Sequence, residues 1–86
     1  MAMAERSLKY RELLRRLKLF GVVEDRSRGR GSERLLTRIV DGRRYSTTTK
    51  CHSDSDQKPK AVIKSIRRRL KLTPDDGVSD DAFYGK

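Results

Sequence analysis

Asp41-Gly42 is the feature that most restricts what this chain can fold into. Aspartate followed by glycine tolerates the positive φ angles of a type I′ turn, the two-residue connection whose twist suits antiparallel strands. The flanking residues agree with it. Ser32 to Val40 carries Leu35, Leu36, Thr37, Ile39 and Val40, and Arg43 to Lys50 carries Tyr45 and the run Thr47-Thr48-Thr49. β-Branched and aromatic residues bounded by turn signals read as strands. Val22 to Arg26 reads as one more strand, joined to Ser32 by the glycine-bearing turn Ser27-Arg28-Gly29-Arg30-Gly31. The pattern predicts an antiparallel meander of three strands.

Outside the meander the apolar period changes. From Leu8 to Phe20, the residues Tyr10, Leu13, Leu14, Leu17 and Phe20 share one face of a helix, with Arg11, Arg15 and Lys18 opposite. Ser7 is the expected N-cap, and Gly21 stands where a left-handed residue ends a helix. Pro59 suits the first position of another helix. Val62, Ile63, Ile66 and Leu70 then form its apolar stripe, and Lys60, Lys64, Arg67, Arg68 and Lys71 its opposite, cationic face. Cys51 to Lys58 reads as a polar turn. Thr73 and Ser79 each precede acidic residues and can open a short helical turn, with Phe83 or Tyr84 as an anchor. The order helix, three strands, helix predicts a two-layer α+β domain, an α-β-β-β-α arrangement with both helices on one face of the sheet. Double-stranded-RNA-binding domains use that architecture.

Charge narrows the function. The 86 residues carry a formal net charge of +10, and 40% of them are charged. Residues 1–72 hold 21 basic and 8 acidic side chains, whereas residues 73–86 hold 1 and 4. This divides the chain into one basic domain, 1–72, and an acidic tail, 73–86. A basic body of this kind calls for a polyanionic partner. One cysteine, Cys51, excludes an internal disulfide, and one histidine, His52, leaves a structural zinc site short of ligands. No cofactor is expected. Nor is a membrane partner, because no stretch approaches the roughly 18 apolar residues of a membrane span. The amino terminus lacks the apolar core of a secretory signal, so the expected compartment is the cytoplasm.

The cations of the second helix are the strongest functional signal. Like charges crowded on one face repel, by a few tenths of a kcal/mol per pair, and a bound polyanion relieves that. Arg26, Arg28, Arg30 and Arg34 around the glycines form a second cluster suited to clamping phosphate, and Lys50 closes the third strand. Imidazole is the side chain that ordinarily titrates near neutrality, and it occurs once, at His52, as a candidate acid or base for phosphodiester cleavage. Cys51 beside it is not expected to act as a nucleophile, since neighbours on extended chain point to opposite faces.

Helix 1 ending at Phe20-Gly21, the loop to Gly31-Ser32, the Asp41-Gly42 hairpin, the histidine after strand 3 and the segment Lys60 to Leu72 together resemble the HicA family. The resemblance covers residues 8–73. It implies a double-stranded-RNA-binding-domain fold and a metal-independent endoribonuclease, the mRNA interferase toxin of a toxin–antitoxin pair. It also implies silencing by a HicB-type antitoxin protein. The family typically carries Gly-Ser-His at the start of its second strand, with that histidine catalytic; here the matching residues are Gly31-Ser32-Glu33.

Two outcomes follow from Glu33. It can replace the histidine as general base while His52 protonates the leaving oxygen, although a carboxylate is the weaker base. Alternatively, the chain is a catalytically inactive RNA- or DNA-binding module of the same fold. The expected RNA contacts are Arg28, Arg30, Arg34, Lys50, Lys60, Lys64, Arg67, Arg68 and Lys71.

Overall fold

The computed structural model describes residues 5–26 and 33–85. In chain order the elements are β1 (Leu8–Lys9), α1 (Tyr10–Lys18), β2 (Val23–Asp25), β3 (Glu33–Val40), β4 (Arg43–Lys50), β5 (Gln57–Lys58), α2 (Lys60–Arg69), a 3-10 turn (Pro74–Asp76) and α3 (Asp80–Tyr84). Strands β2, β3 and β4 form an antiparallel sheet in that order. This is the expected meander, in a compact α+β domain. Asp41 and Gly42 take φ of 51° and 80°, the signs a type I′ turn demands. Val40 therefore pairs with Arg43, and the register runs unbroken to Glu33 opposite Lys50.

Alternation decides which face of the sheet is buried. Leu36 is fully buried and joins Tyr10, Leu13 and Leu17 of α1 and Ile63 and Ile66 of α2 in the core. Leu35, Thr37 and Ile39 point to the other face, where Ile39 is 66% exposed. Arg38 lies on the inner face and holds both helices by their carboxyl ends. It donates from Nε to the Phe20 carbonyl (3.0 Å) and from Nη1 to the carbonyls of Leu70 (3.1 Å) and Lys71 (2.9 Å). One guanidinium thus satisfies orphan carbonyls that a helix end leaves behind.

The first helix begins later than its periodicity suggests. Leu8–Lys9 pairs antiparallel with Gln57–Lys58, a ribbon inside what reads as a polar turn. Ser7 is not the N-cap; its Oγ accepts from Gln57 Nε2 at 2.8 Å. The opening amides of α1 are satisfied by loop carbonyls instead, with Tyr10 N–H donating to Asp56 (2.8 Å) and Arg11 N–H to Asp54 (2.9 Å). A tertiary partner has replaced the local cap. The exit is as expected: Gly21 is left-handed at φ 84°, and Val22 N–H reaches back to the Leu17 carbonyl.

Three expectations about the second half are corrected. Pro59 is the N-cap of α2, one residue before its first helical position. Val62 stands on the groove side of α2, 36% exposed, whereas Ile63, Ile66 and Leu70 are buried. The acidic segment is no appendage. Leu72, Val78, Phe83 and Tyr84 all belong to the core, Phe83 stacks on Phe20 at 5.9 Å, and Tyr84 meets Phe83 edge-on at 5.2 Å. Residues 73–85 therefore complete the fold, and the core of the basic body includes them.

Candidate functional site

Register brings the two candidate catalytic residues to one end of the sheet. Glu33 opens β3, half-buried, opposite Lys50 at the end of β4; His52 follows two residues later, exposed. Its loop is built by Asp56. The Oδ2 of that carboxylate accepts the His52 backbone N–H at 2.6 Å, and its Oδ1 accepts the Ser53 hydroxyl at 3.3 Å. The His52 amide, with Ser53 assisting, holds the Asp56 carboxyl below the usual carboxylate range. Cys51 beside it is buried, and its thiol donates to the Ser53 carbonyl at 2.9 Å. Burial pushes that thiol's pKa up, which leaves it protonated and a poor nucleophile.

A partly buried ionic cluster ties the end of β2 and the start of β3 to this histidine loop. Tyr10 donates its hydroxyl to Glu24 Oε2 at 2.7 Å, and burial followed by that hydrogen bond raises its pKa far above the ordinary phenol range. Arg34 Nε lies 3.6 Å from the same oxygen, and Arg26 Nε lies 3.0 Å from Oε1. Arg26 then reaches across to Asp54 Oδ1 at 3.2 Å, one residue from Ser53 and two from His52. The sequence places Arg26 in the loop cluster and offers it no partner. Its bonds to Asp54, 28 residues away, leave no local signal.

The cations separate into two groups. Lys60, Lys64 and Arg68 are exposed on one side of α2 at helical spacing. Lys58, two residues before Lys60, donates its ammonium to the Lys50 carbonyl, so the end of β4 and the start of α2 meet. Lys50 and Lys58 thus lie at the start of α2, while Lys64 and Arg68 farther along border a groove shared with Glu5, Asp75 and Asp80. Arg28 and Arg30 lie outside the described residues. Arg34, read as a phosphate contact, is buried on the inner face of β3, with its Nη1 donating to the Glu33 carbonyl at 3.4 Å. Its position is that of a residue shaping the site from below.

Arg67 and Lys71 depart from the expected face. Arg67 is 3% exposed, with Nε on the Leu72 carbonyl (2.9 Å), Nη2 on the Val78 carbonyl (3.2 Å) and Nη1 on Asp80 Oδ1 (2.7 Å). Its guanidinium also lies 4.7 Å from the Phe83 ring centroid and 5.7 Å from that of Tyr84. Lys71 follows the end of α2 with a left-handed φ of 61°, and its ammonium sits 5.5 Å from the Tyr45 ring. Arg69, not singled out in the sequence, is exposed beside β4.

Among the described residues, no three His, Cys, Asp or Glu side chains gather as a metal site needs, and no helix is long and apolar enough to cross a membrane. Comparison with protein-family models, curated proteins and solved structures returns no match.

Proposed function

We propose that this chain is a double-stranded-RNA-binding-domain-like protein that acts as a HicA-type mRNA interferase and is neutralised by a HicB-type antitoxin. The observation that carries the reading is the register that places Glu33, Lys50 and, two residues on, His52 at one end of the sheet, in a chain whose α2 exposes Lys60, Lys64 and Arg68. In this reading Lys60, Lys64 and Arg68 hold the RNA backbone as phosphate contacts. Glu33 removes the proton from a ribose 2′-hydroxyl, and that oxygen attacks the adjacent phosphorus. The bond from phosphorus to the 5′-oxygen breaks, and His52 gives that oxygen a proton. A cyclic phosphate and a free 5′-hydroxyl result. Lys50 and the arginines stabilise the charge that gathers on the non-bridging oxygens.

A second reading keeps the RNA and drops the chemistry. Glu33 stands where the resembled family carries its catalytic histidine, and a carboxylate there suits a binding module. Induced expression of four proteins separates the two. If the interferase reading holds, wild type arrests growth, Glu33→Ala and His52→Ala abolish arrest, and Glu33→His restores or strengthens it because imidazole is the better base near neutrality. A harmless wild type supports the binding module. A toxic wild type indifferent to both alanines rejects this active site.

A further inference from the structure

The outer edge of β4 is a row of backbone groups facing a groove. In a two-residue hairpin the residues flanking the turn form a hydrogen-bonded pair, and bonding alternates from there. Val40 pairs with Arg43, so Arg43, Tyr45, Thr47 and Thr49 turn their backbone groups toward β3. Arg44, Ser46, Thr48 and Lys50 turn theirs away. The Lys50 carbonyl fits this phase, since it accepts from the Lys58 ammonium and not from β3. Among the described residues no strand pairs with this edge. It opens on a groove of about 580 Å³ between β4 and α2, lined among others by Thr47, Thr49, Val62, Ser65 and Arg69.

We propose that this edge docks an extended segment of another protein as a fourth strand of the sheet, a segment with acidic residues at its two ends. The alternating donors and acceptors choose a polypeptide. A strand satisfies both the N–H groups and the carbonyls of Arg44, Ser46 and Thr48, whereas an RNA backbone would set anionic oxygens against those carbonyls. Charge chooses the sequence. Arg43 and Arg44 stand at the hairpin end of the edge, where the carboxyl end of α2 brings Arg69 into the groove lining, and Lys50 stands at the other end; the groove lining contains no acid. The same charges oppose a second copy of this chain. Antiparallel self-pairing with full overlap, centred on Thr47, sets Arg44 against Lys50 twice, and like charges directly opposite destabilise a sheet. Val62, exposed in the groove, gives the incoming strand an apolar contact. The inference is independent of the interferase reading, because it needs neither Glu33 nor His52 and shares with the proposed chemistry only the charge of Lys50.

The test uses the full chain, labelled with nitrogen-15, and a capped synthetic heptapeptide, Glu-Val-Thr-Val-Thr-Val-Asp. Its lysine-ended counterpart, Lys-Val-Thr-Val-Thr-Val-Lys, and a short RNA serve as comparison probes. The acidic peptide should shift the amides of Arg44, Ser46, Thr48 and Lys50 and slow their exchange. It should bind roughly tenfold or more tightly than the lysine peptide, as charges directly opposite across a pair require at both ends. Thr48→Pro should abolish this binding with the fold intact, since proline is tolerated where a strand's N–H faces outward. Should that variant fail to fold, the double variant Arg44→Glu/Lys50→Glu, which reverses the charge at both ends of the edge, should invert the preference between the peptides. Equal binding of the two peptides, no shifts at the edge, protection by RNA alone, or protection that grows with protein concentration and no peptide would each overturn the proposal.

Discussion

Phe83→Ala is expected to lower the unfolding free energy by about 3–5 kcal/mol, the cost of emptying a fully buried aromatic site. Phe83 is completely buried, lies between Phe20 of the α1 exit and the guanidinium of Arg67, and meets Tyr84 edge-on. Its removal takes ring contacts from three neighbours at once. The cavity cannot close easily, because α3 is held at Arg16, whose Nε donates to the Phe83 carbonyl at 2.9 Å. In a domain this small the loss is a large part of the whole stability, which is about 0.05–0.15 kcal/mol per residue. Urea unfolding followed by far-ultraviolet circular dichroism measures it. A midpoint equal to that of wild type would show that the acidic segment does not belong to the core.

Arg67→Ala should cost about 2–4 kcal/mol, chiefly because it strips buried carbonyls of their donor and empties a buried site, while the partly exposed Asp80 stays solvated. The carbonyls of Leu72 and Val78 lose their donors, and Asp80 loses the cation that holds α3 to α2. Arg67→Lys keeps the charge but not the planar fork that reaches all three acceptors, so it should fall between alanine and wild type. Lys64→Ser and Arg68→Ser on the exposed side of the same helix should change stability by no more than about 0.5 kcal/mol each. Because Arg67 and Phe83 touch, the loss in the double alanine variant should differ from the sum of the two. Unfolding at the wild-type midpoint for Arg67→Ala would return Arg67 to the solvent face that its spacing suggests.

These two residues mark the boundary of what the sequence discloses. The hairpin was legible because Asp41-Gly42 acts locally, and its register follows by counting outward from the turn to Glu33 and Lys50. The stripe of α1 was legible because Tyr10, Leu13, Leu14 and Leu17 bury together. Arg67 was not, since periodicity distinguishes faces of an isolated helix and cannot see that α3 covers one cation among five. The acidic composition of residues 73–86 hid Leu72-to-Tyr84 packing in the same way: four acids at the surface outweigh a few apolar anchors in any average. β1 and β5 are two residues each and exist only through each other, 50 residues apart at the Leu8–Lys58 pair, so no local pattern announces them. For the candidate site, Glu33, His52 and the cations of α2 were visible as residue types, while the Arg26–Asp54 bond and the Lys58–Lys50 contact that draw their loops together were not.

If the exposed cations of α2 bind RNA, the salt dependence of that binding reveals it. Affinity for a single-stranded RNA oligomer should be measured against salt for wild type and for the triple variant Lys60→Ser/Lys64→Ser/Arg68→Ser. Arg67 is left in place because it carries the fold. Each phosphate contact to a single strand contributes about 0.7 to the log–log slope, so losing three should flatten the slope by about 2 while the melting temperature holds. Weaker binding with that flatter slope, in a folded variant, is the predicted result. An unchanged affinity and slope in the folded triple variant would move the RNA off this helix.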